Sequence, residues 1–310
     1  MEFRQLQYVL AVARERNFTR AALKLLIAQP SLSQQVAKLE QEIGIPLFER
    51  GPSGVELTYA GQLFVEKAQV IVDGTEQLRT AMRDLSELKK GRLVIGSLPM
   101  TGSHVMPVIL PAFRERFPDI EIVLIEDTTA NLEKLASTGE TDLCLLSLPI
   151  QSAELDYEPF LQEAILLAVP PNHPLRSAST SKKGTTSNVS LNTVRDEPFI
   201  VLKKGQGFRE ITFDLCRHAG FIPNVVFESN NIETIQSLVA AGMGVALVPQ
   251  MVMRDRQGSG KHAPAYLEIT DENAARSLVI GYRKQRYLSN AAQAFIATVK
   301  EVMKTSPELY

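Results

Sequence analysis

The hydrophobic positions of residues 17–61 follow two short helical repeats and then a glycine-containing segment. Small and apolar residues at helical spacing define the first helix: Ala21, Ala22 and Leu25. Thr19 precedes them and is predicted to cap this helix. Four apolar residues at helical spacing are predicted to form the core-facing side of a second helix: Leu32, Val36, Leu39 and Ile43. Pro30 falls in its first turn, where no amide hydrogen is missed. Two helices, a tight turn and a wing predict a winged helix-turn-helix that binds DNA.

The polar face of the second helix carries the candidate DNA-contacting side chains. Hydroxyl and amide groups dominate this face: Gln29, Ser31, Ser33, Gln34 and Gln35. Such groups read base edges in the major groove, whereas Lys38 suits a phosphate. Thr19, Pro30 and the predicted wing residues Arg50 and Ser53 complete the set. An ordinary helical hairpin has the same periodicity, but the LFER before the wing and the ELT after it favour the DNA reader.

Residues 59–89 form one long helical pattern without proline. Apolar residues recur there at every seventh position: Phe64, Ile71, Leu78 and Leu85. Ala68, Thr75 and Met82 follow the first three at the spacing of a two-stranded coiled coil. The alternative is a lone helix that packs on its own domain. A dimer agrees with the predicted DNA reader, because two recognition helices need two half-sites.

From residue 91 onward, short apolar runs alternate with amphipathic helical segments. This alternation predicts an α/β domain with a parallel sheet that is covered on both faces. We expect two lobes, the first at about 91–162 and 266–304 and the second at about 163–265. The polar stretches 176–188 and 254–264 are predicted surface loops. The chain is thus divided into a winged helix at 1–58, a linker helix at 59–90 and a ligand-binding domain at 91–310.

The crevice between two such lobes is where ligands bind, at the carboxyl ends of the strands. Two strand-to-helix turns of the first lobe offer hydroxyls and backbone amides there: Ser97, Thr101, Gly102, Ser103, Thr128 and Thr129. Helix starts of this kind suit a carboxylate. Lys203, or its neighbour Lys204, and Asn230 follow strands of the second lobe. Helix capping by the threonines and a solvated lysine are the alternatives. We expect a small carboxylate effector, either a central metabolite or an aromatic-degradation acid, held chiefly by Thr101, Ser103 and Thr129.

The overall composition narrows the class of protein. The 310 residues are 45% hydrophobic and 22% charged, which supports packed cores and argues against general disorder. A formal net charge of −2 gives no sign of a nucleic-acid partner, so DNA binding has to rest on local placement of basic groups. No apolar run reaches the ~18 residues of a membrane span, and we expect no signal peptide in the charged, amphipathic segment that begins the sequence. We therefore expect a cytoplasmic protein without a membrane partner.

Few residues of the sequence suggest a redox, metal or catalytic site. Cys144 and Cys216 are the only cysteines, and two buried small hydrophobes are favoured over a redox pair. The four histidines show no metal-ligand spacing. No phosphate-binding loop, dinucleotide fingerprint, nucleophile elbow or paired-carboxylate constellation occurs, so we expect neither an enzyme nor a cofactor. A solute-binding transport protein is the rival for the two-lobed part, and residues 17–61 count against it.

The chain resembles the LysR-type transcriptional regulators over essentially its whole length. The specific matches are FTRAA, QPSLSQQVAKLEQEIGIPLFER, LT-x-AG, the PNHPL of 171–175 and the LVAAGMGVALVP of 238–249. The resemblance implies an N-terminal winged helix, a dimerising linker helix and a periplasmic-binding-protein-like effector domain of two α/β lobes.

The resemblance also implies the partners of the protein. Members of this bacterial family are usually homotetramers, dimers of dimers on double-stranded DNA, which bind an interrupted palindrome upstream of a target gene. A small molecule between the lobes changes how the tetramer bends DNA and contacts RNA polymerase. Two positions depart from the family pattern: Gln34 replaces a common arginine, and Asn17 replaces a common serine or glycine. The first departure bears on the operator sequence.

Overall fold

The computed structural model describes residues 1–51, 54–85, 91–177, 188–253 and 263–305. Two units divide the chain. The first consists of Met1–Leu88 with two short pieces, Thr138–Glu140 and Gln285–Ser289, and the second contains the remainder.

Three helices begin the first unit: α1 (Phe3–Glu15), α2 (Phe18–Leu25) and α3 (Gln29–Ile43). Their apolar faces meet in one core: Val9, Val12, Ala21, Ala22, Leu32, Val36, Leu39 and Leu47. Alanines in α2 allow the neighbouring helices to approach closely. Burying each larger aliphatic side chain stabilises the fold by about 1.5–3 kcal/mol.

Two details of these helices differ from the sequence prediction. The cap of α2 is Asn17, whose side chain accepts a hydrogen bond from the Arg20 amide at 3.0 Å. Thr19 therefore lies inside the first turn and is exposed, so the prediction that it caps α2 is wrong. Ile43 is 40% exposed, because α3 runs past the core and ends at Gly44 in a left-handed conformation. Pro30 does occupy the first turn of α3, as predicted.

A two-stranded wing follows, formed by β1 (Phe48–Gly51) and β2 (Gly54–Leu57) in antiparallel pairing. The Glu40 carboxylate accepts from the Leu47 amide at 2.7 Å and the Phe48 amide at 3.1 Å, which fixes the chain as it leaves α3. These contacts attach the wing to the recognition helix.

The LT-x-AG motif joins the wing to the long helix α4 (Tyr59–Leu85). The Thr58 hydroxyl accepts from the Gly61 amide at 3.0 Å, which caps the helix, and donates to the Pro46 carbonyl at 2.8 Å. A Cβ atom at position 61 would lie 2.0 Å from the Leu47 carbonyl oxygen. Only glycine allows this close approach of α4 to the wing, which explains the motif physically.

The second unit begins with alternating strands and helices of a first lobe. In chain order these are β3 (Gly91–Ser97), α5 (Pro99–Arg116), β4 (Ile120–Glu126), α6 (Thr129–Thr138) and β5 (Leu143–Ser147). The strands pair in parallel with β3 in the middle. All three turns at their carboxyl ends therefore lie on one edge of the sheet.

The chain then forms a second lobe. Its strands and helices are β6 (Leu155–Val169), α7 (Pro174–Ser177), β7 (Asn188–Val189), β8 (Pro198–Leu202), α8 (Gly207–His218), β9 (Asn224–Ser229), α9 (Ile232–Ala240), β10 (Ala246–Pro249) and β11 (Ala265–Ile269). Short 3₁₀ turns occur at Leu191–Val194 and Gln250–Val252. The chain closes with β12 (Ala275–Arg283) and α10 (Asn290–Thr305). The predicted loops at 176–188 and 254–264 fall largely outside the described residues.

Strand β6 connects the lobes. Its first part, residues 155–164, pairs with β12 in the first lobe, and its last part, residues 165–169, pairs with β10 and β11 in the second. Both β6 and β12 run antiparallel to their neighbours, so the predicted parallel sheet is in fact mixed. Because β11 belongs to the second lobe, the chain returns to the first lobe at β12, later than the predicted boundary at 265/266.

Candidate DNA interface and effector cleft

None of the predicted DNA-contacting residues of α3 lies on its fully buried face, which is formed by Leu32, Val36 and Leu39. Pro30, Ser31, Gln34 and Lys38 are exposed, whereas Gln29, Ser33 and Gln35 are half-buried. The exposed residues lie mainly in the amino-terminal half of the helix, the half that reads bases in helix-turn-helix proteins.

Gln35 differs from the other amides on this helix. Its side-chain oxygen accepts from Gln5, a buried residue of α1, at 3.4 Å, and Gln5 in turn accepts from the Glu2 amide at 2.8 Å. Because its side chain is bound to α1, Gln35 is better suited to positioning α3 than to contacting a base. Among the wing residues, Arg50 contributes its backbone to β1, while its side chain and all of Ser53 lie outside the described residues.

The α4 helix carries an apolar stripe along one side, formed by exposed Leu63, Val70, Ile71, Leu78 and Met82. We call these five residues the linker stripe. Two of the predicted seam residues, Ile71 and Leu78, belong to it. Phe64 is half-buried and packs against the core of its own DNA-binding domain, so its placement in a seam between subunits has to be corrected. The side chain of Leu85 lies outside the described residues.

Three helices start at the crevice between the two lobes of the second unit. The α5 helix begins at Pro99 and α6 at Thr129, after adjacent parallel strands, and α8 of the second lobe begins at Gly207. The Gly207 amide donates to the Thr129 hydroxyl at 3.0 Å, so the lobes meet at two helix starts. We call this region the effector cleft. It brings the positive ends of three helices together.

The remaining first-lobe candidates differ in burial and in hydrogen bonding. Ser97 is buried, and its hydroxyl donates to the Leu98 carbonyl at 3.1 Å. Gly102 lies so close to Ser97 and Glu126 that a Cβ atom would be 3.0 Å from the Glu126 carboxylate. Ser103 is exposed and donates to the Met100 carbonyl at 3.0 Å.

Thr101 and Thr128 complete the first-lobe set. Thr101 is buried, and its hydroxyl has no hydrogen-bond partner among the described residues. Thr128 is half-buried, and its amide donates to the Asp127 carboxylate at 2.7 Å. Among the cleft hydroxyls, those of Ser97 and Ser103 donate to backbone carbonyls, that of Thr129 accepts from a backbone amide, and that of Thr101 has no partner among the described residues.

Second-lobe candidates lie at the ends of two parallel strands. The Lys203 amide donates to the Ser229 carbonyl at 3.0 Å, which places the loops after β8 and β9 side by side. The side chains of Lys203 and Asn230 are both exposed.

A buried ion pair that the sequence pattern does not predict joins the paired strands β6 and β12. Arg276 of β12 and Glu163 of β6 have fully buried side chains, and the Arg276 Nε donates to the Glu163 Oε1 at 2.6 Å. The other carboxylate oxygen accepts from the Met251 amide at 2.8 Å. Burial lowers the pKa of Arg276, and the charge of Glu163 opposes that shift. The available signal was an arginine near the start of a strand whose middle is apolar, ARSLVIGYR.

Both cysteines are buried, as the sequence prediction favoured. The Cys144 thiol lies 3.1 Å from the Thr141 hydroxyl. Burial, and to a smaller degree the charge of Asp271, raises the pKa of the Cys216 thiol to about 12. Within the described residues, no group of three or more His, Cys, Asp or Glu side chains could hold a metal ion. In the same part of the chain, every helix is too short or too polar to cross a bilayer.

Family models match both units. The model of the bacterial regulatory helix-turn-helix protein, lysR family, matches residues 3–62, and that of the LysR substrate binding domain matches residues 86–304. The chain belongs to the LysR family. It is a DNA-binding transcriptional regulator with a substrate-binding domain, which confirms the predicted fold class and the family resemblance.

Relatives of known name support this assignment. The HTH-type transcriptional regulator YcgK of Bacillus subtilis is 39% identical over 98% of this chain and 95% of its own length. The hydrogen peroxide-inducible genes activator of Pectobacterium carotovorum is 30% identical over 98% of this chain and 97% of its own length. The structure of a full-length OxyR variant from Pseudomonas aeruginosa gives a TM-score of 0.76 at 25% identity, over 98% of this chain and 95% of that one. The names of these relatives describe transcriptional regulators and an activator of genes.

Proposed function

We propose that a small organic carboxylate, bound in the effector cleft of this LysR regulator, sets how the protein binds its operator. The observation that carries the proposal is the contact of Thr129 with Gly207, where helix starts of both lobes meet. An anion at this point would be stabilised by the positive ends of α5, α6 and α8, each contributing about 0.3–1 kcal/mol. No cofactor is needed for this function.

Closure of the lobes offers a direct way to transmit binding. Thr129 belongs to the first lobe and Gly207 to the second, and a Cβ atom at position 207 would lie 2.8 Å from the Thr129 hydroxyl oxygen. A ligand that binds the closed arrangement better than an open one shifts the equilibrium toward closure. We propose Thr101, Ser103 and Thr129 as its chief contacts.

We further propose that the regulator acts as a dimer of dimers on an interrupted palindrome upstream of its target gene and contacts RNA polymerase there. The linker stripe supports the first pairing, because five large apolar side chains on one helix face are costly to leave in water. Exposed apolar residues on β4 and β9 support pairing of the effector domains: Leu124, Val226 and Phe227. Each of these two strands has a single described strand partner.

Substitution of Thr129 by valine tests the effector site. We expect at least one acid of a panel of benzoate, succinate and pyruvate to raise the melting temperature of the wild-type chain. A ligand at ~100 times its dissociation constant stabilises a protein by roughly 2.7 kcal/mol. Thr129→Val should abolish that shift, since valine cannot accept from the Gly207 amide, and should leave binding to the upstream DNA intact in a gel-shift assay.

Thr298→Val is the matched control. Thr298 is a buried threonine of the same unit whose hydroxyl donates only to the Ala294 carbonyl in its own helix, at 2.9 Å. It should keep the shift. A shift that survives in both Thr101→Val and Thr129→Val would place the effector elsewhere.

A thiol response to hydrogen peroxide is the alternative suggested by the name of one relative. We expect neither cysteine to react in the folded chain, because both thiols are buried. For Cys216, burial also raises the pKa to about 12, so little of the reactive thiolate is present. Thiol titration with Ellman's reagent should therefore detect both thiols only after unfolding. Hydrogen peroxide should leave the gel shift unchanged for the wild-type chain and for Cys216→Ser. A peroxide-dependent shift that Cys216→Ser removes would establish the alternative.

A further inference from the structure

We propose that Arg276 contacts the effector directly, and that its guanidinium, together with the hydroxyls of Ser147 and Thr101, forms a buried donor site for the carboxylate. This inference rests on the proposed function, and it replaces the exposed Lys203 as the positive charge of the site. Neither Arg276 nor Ser147 is among the residues predicted from the sequence to bind the effector.

The first observation is a set of unsatisfied donors. Four buried side-chain atoms lack a hydrogen-bond partner among the described residues: Thr101 Oγ1, Ser147 Oγ, Gln236 Nε2 and Arg276 Nη1. Buried polar groups without partners are rare because each one destabilises the folded chain. Three of the four belong to neighbouring elements at one edge of the first-lobe sheet, which indicates that this edge is built to receive an acceptor.

Strand order brings these three residues to that edge. Thr101 lies in the first turn of α5, directly after β3, and Ser147 is the last residue of β5, which pairs in parallel with β3. Ser147 also pairs with Leu278 of β12, and Arg276 lies two positions earlier on that strand. Because β12 runs antiparallel to β5, Arg276 is displaced past the carboxyl end of β5, toward the cleft.

The second observation is that the guanidinium is held in one orientation. Glu163 binds the Nε and Nη2 atoms of Arg276 through one carboxylate oxygen, at 2.6 Å each. Nη2 also lies 3.4 Å from the Met251 sulfur. The remaining arm, Nη1, is the atom without a partner. A fixed guanidinium with one open donor is preorganised for a charge-assisted hydrogen bond to a carboxylate.

The position of Phe208 links this arginine to the cleft. The Arg276 guanidinium carbon lies 5.4 Å from the centre of the Phe208 ring, and the preceding residue, Gly207, donates to Thr129 across the cleft. Arg276 thus contacts Phe208, the residue that directly follows the point where the lobes meet. Since Glu163 already balances the arginine charge, an added carboxylate depends also on the helix starts of α5, α6 and α8.

Two substitutions separate binding from folding. Arg276→Lys keeps a positive charge for Glu163 but has a single nitrogen and no second arm. Ser147→Ala removes an unpaired buried hydroxyl, so it should leave the melting temperature without added acid unchanged or raised. Any acid of the benzoate, succinate and pyruvate panel that binds the wild-type chain should bind both full-length variants at least roughly tenfold more weakly by calorimetry, as expected for a lost hydrogen bond to a charged group.

Each result decides between the inference and the proposal on which it rests. Weakened binding in Ser147→Ala with an unreduced melting temperature supports the inference even if Arg276→Lys fails to fold. Wild-type affinity in both variants, with binding lost in Thr129→Val, would overturn the role of Arg276 and leave the carboxylate cleft standing. A wild-type chain that binds none of the three acids, while still binding the upstream DNA, would overturn the carboxylate assignment and this inference together. Thr298→Val serves again as the control and should bind like wild type.

Discussion

Ile71→Asp should convert the regulator to monomers and weaken its binding to the operator by about 100-fold or more. Ile71 is 48% exposed and lies in the linker stripe, near Leu78, which is 61% exposed. In a helix pair, the substitution would place two aspartates in an apolar seam, at a cost of several kcal/mol. A monomer engages one half-site at a time and loses the ~10²- to 10⁴-fold gain that linked sites provide. Sedimentation and gel-shift assays measure the two effects.

Gln62→Asp is the matched control for this prediction. It adds the same charge to the same helix at an exposed position outside the linker stripe. We expect wild-type mass and wild-type operator binding. If Ile71→Asp also kept both, the linker helix would pack on its own subunit, and the proposed dimer would be wrong.

The helix itself was predictable from sequence, but its outward face was not. A seven-residue apolar repeat specifies which residues lie on the same face of the helix. It does not specify whether that face packs against its own domain or against a partner subunit. Phe64 and its neighbour Val65 pack against the DNA-binding core, whereas Leu63 is exposed. The difference arises from the LT-x-AG junction, where Gly61 brings the start of the helix against Leu47. That contact depends on the folded wing.

In the effector cleft too, the residues that depend on local sequence were predictable, whereas those brought together by distant strand pairing were not. The turns after β3 and β4 were predictable, because polar residues between an apolar strand and a helix mark the carboxyl end of a strand. Arg276 was not predictable as part of the site. Its partner, Glu163, lies 113 positions away, and the two meet only because β6 and β12 pair in register. Antiparallel register between distant strands is fixed by the assembled core.

Local signals also failed where two residues could perform the same task. Both Asn17 and Thr19 can cap a helix, and the choice between them depends on where the first turn begins. In the structure α2 starts at Phe18, so the capping position falls on Asn17. The ring of Phe18 packs against the ring of Phe48, a wing residue, in an edge-to-face arrangement with the ring centroids 5.8 Å apart. A tertiary aromatic contact accompanies the start of the helix at Phe18.

The recognition helix carries the second large expected effect. Gln34→Ala should lower operator affinity by about 5- to 150-fold and leave affinity for random DNA nearly unchanged, because a bidentate amide–adenine pair contributes ~1–3 kcal/mol of base discrimination. Gln34 is exposed near the amino-terminal end of α3. Alanine favours helix, so the fold should persist. Gln29→Ala should act in the same direction. Fluorescence anisotropy with operator and scrambled duplexes measures both affinities.

Lys38→Ala and Gln41→Ala complete this series on α3. Lys38 is exposed one turn further along the helix and is expected to contact a phosphate, so its loss should weaken both duplexes alike and reduce the salt slope by about 1. Gln41 is also exposed but lies two turns beyond Gln34, near the carboxyl end of the helix, and its substitution should change neither affinity. Equal losses in Gln34→Ala and Gln41→Ala would move the base contacts away from the amino-terminal half. Wild-type operator binding by both Gln29→Ala and Gln34→Ala would show that α3 does not read the operator as proposed.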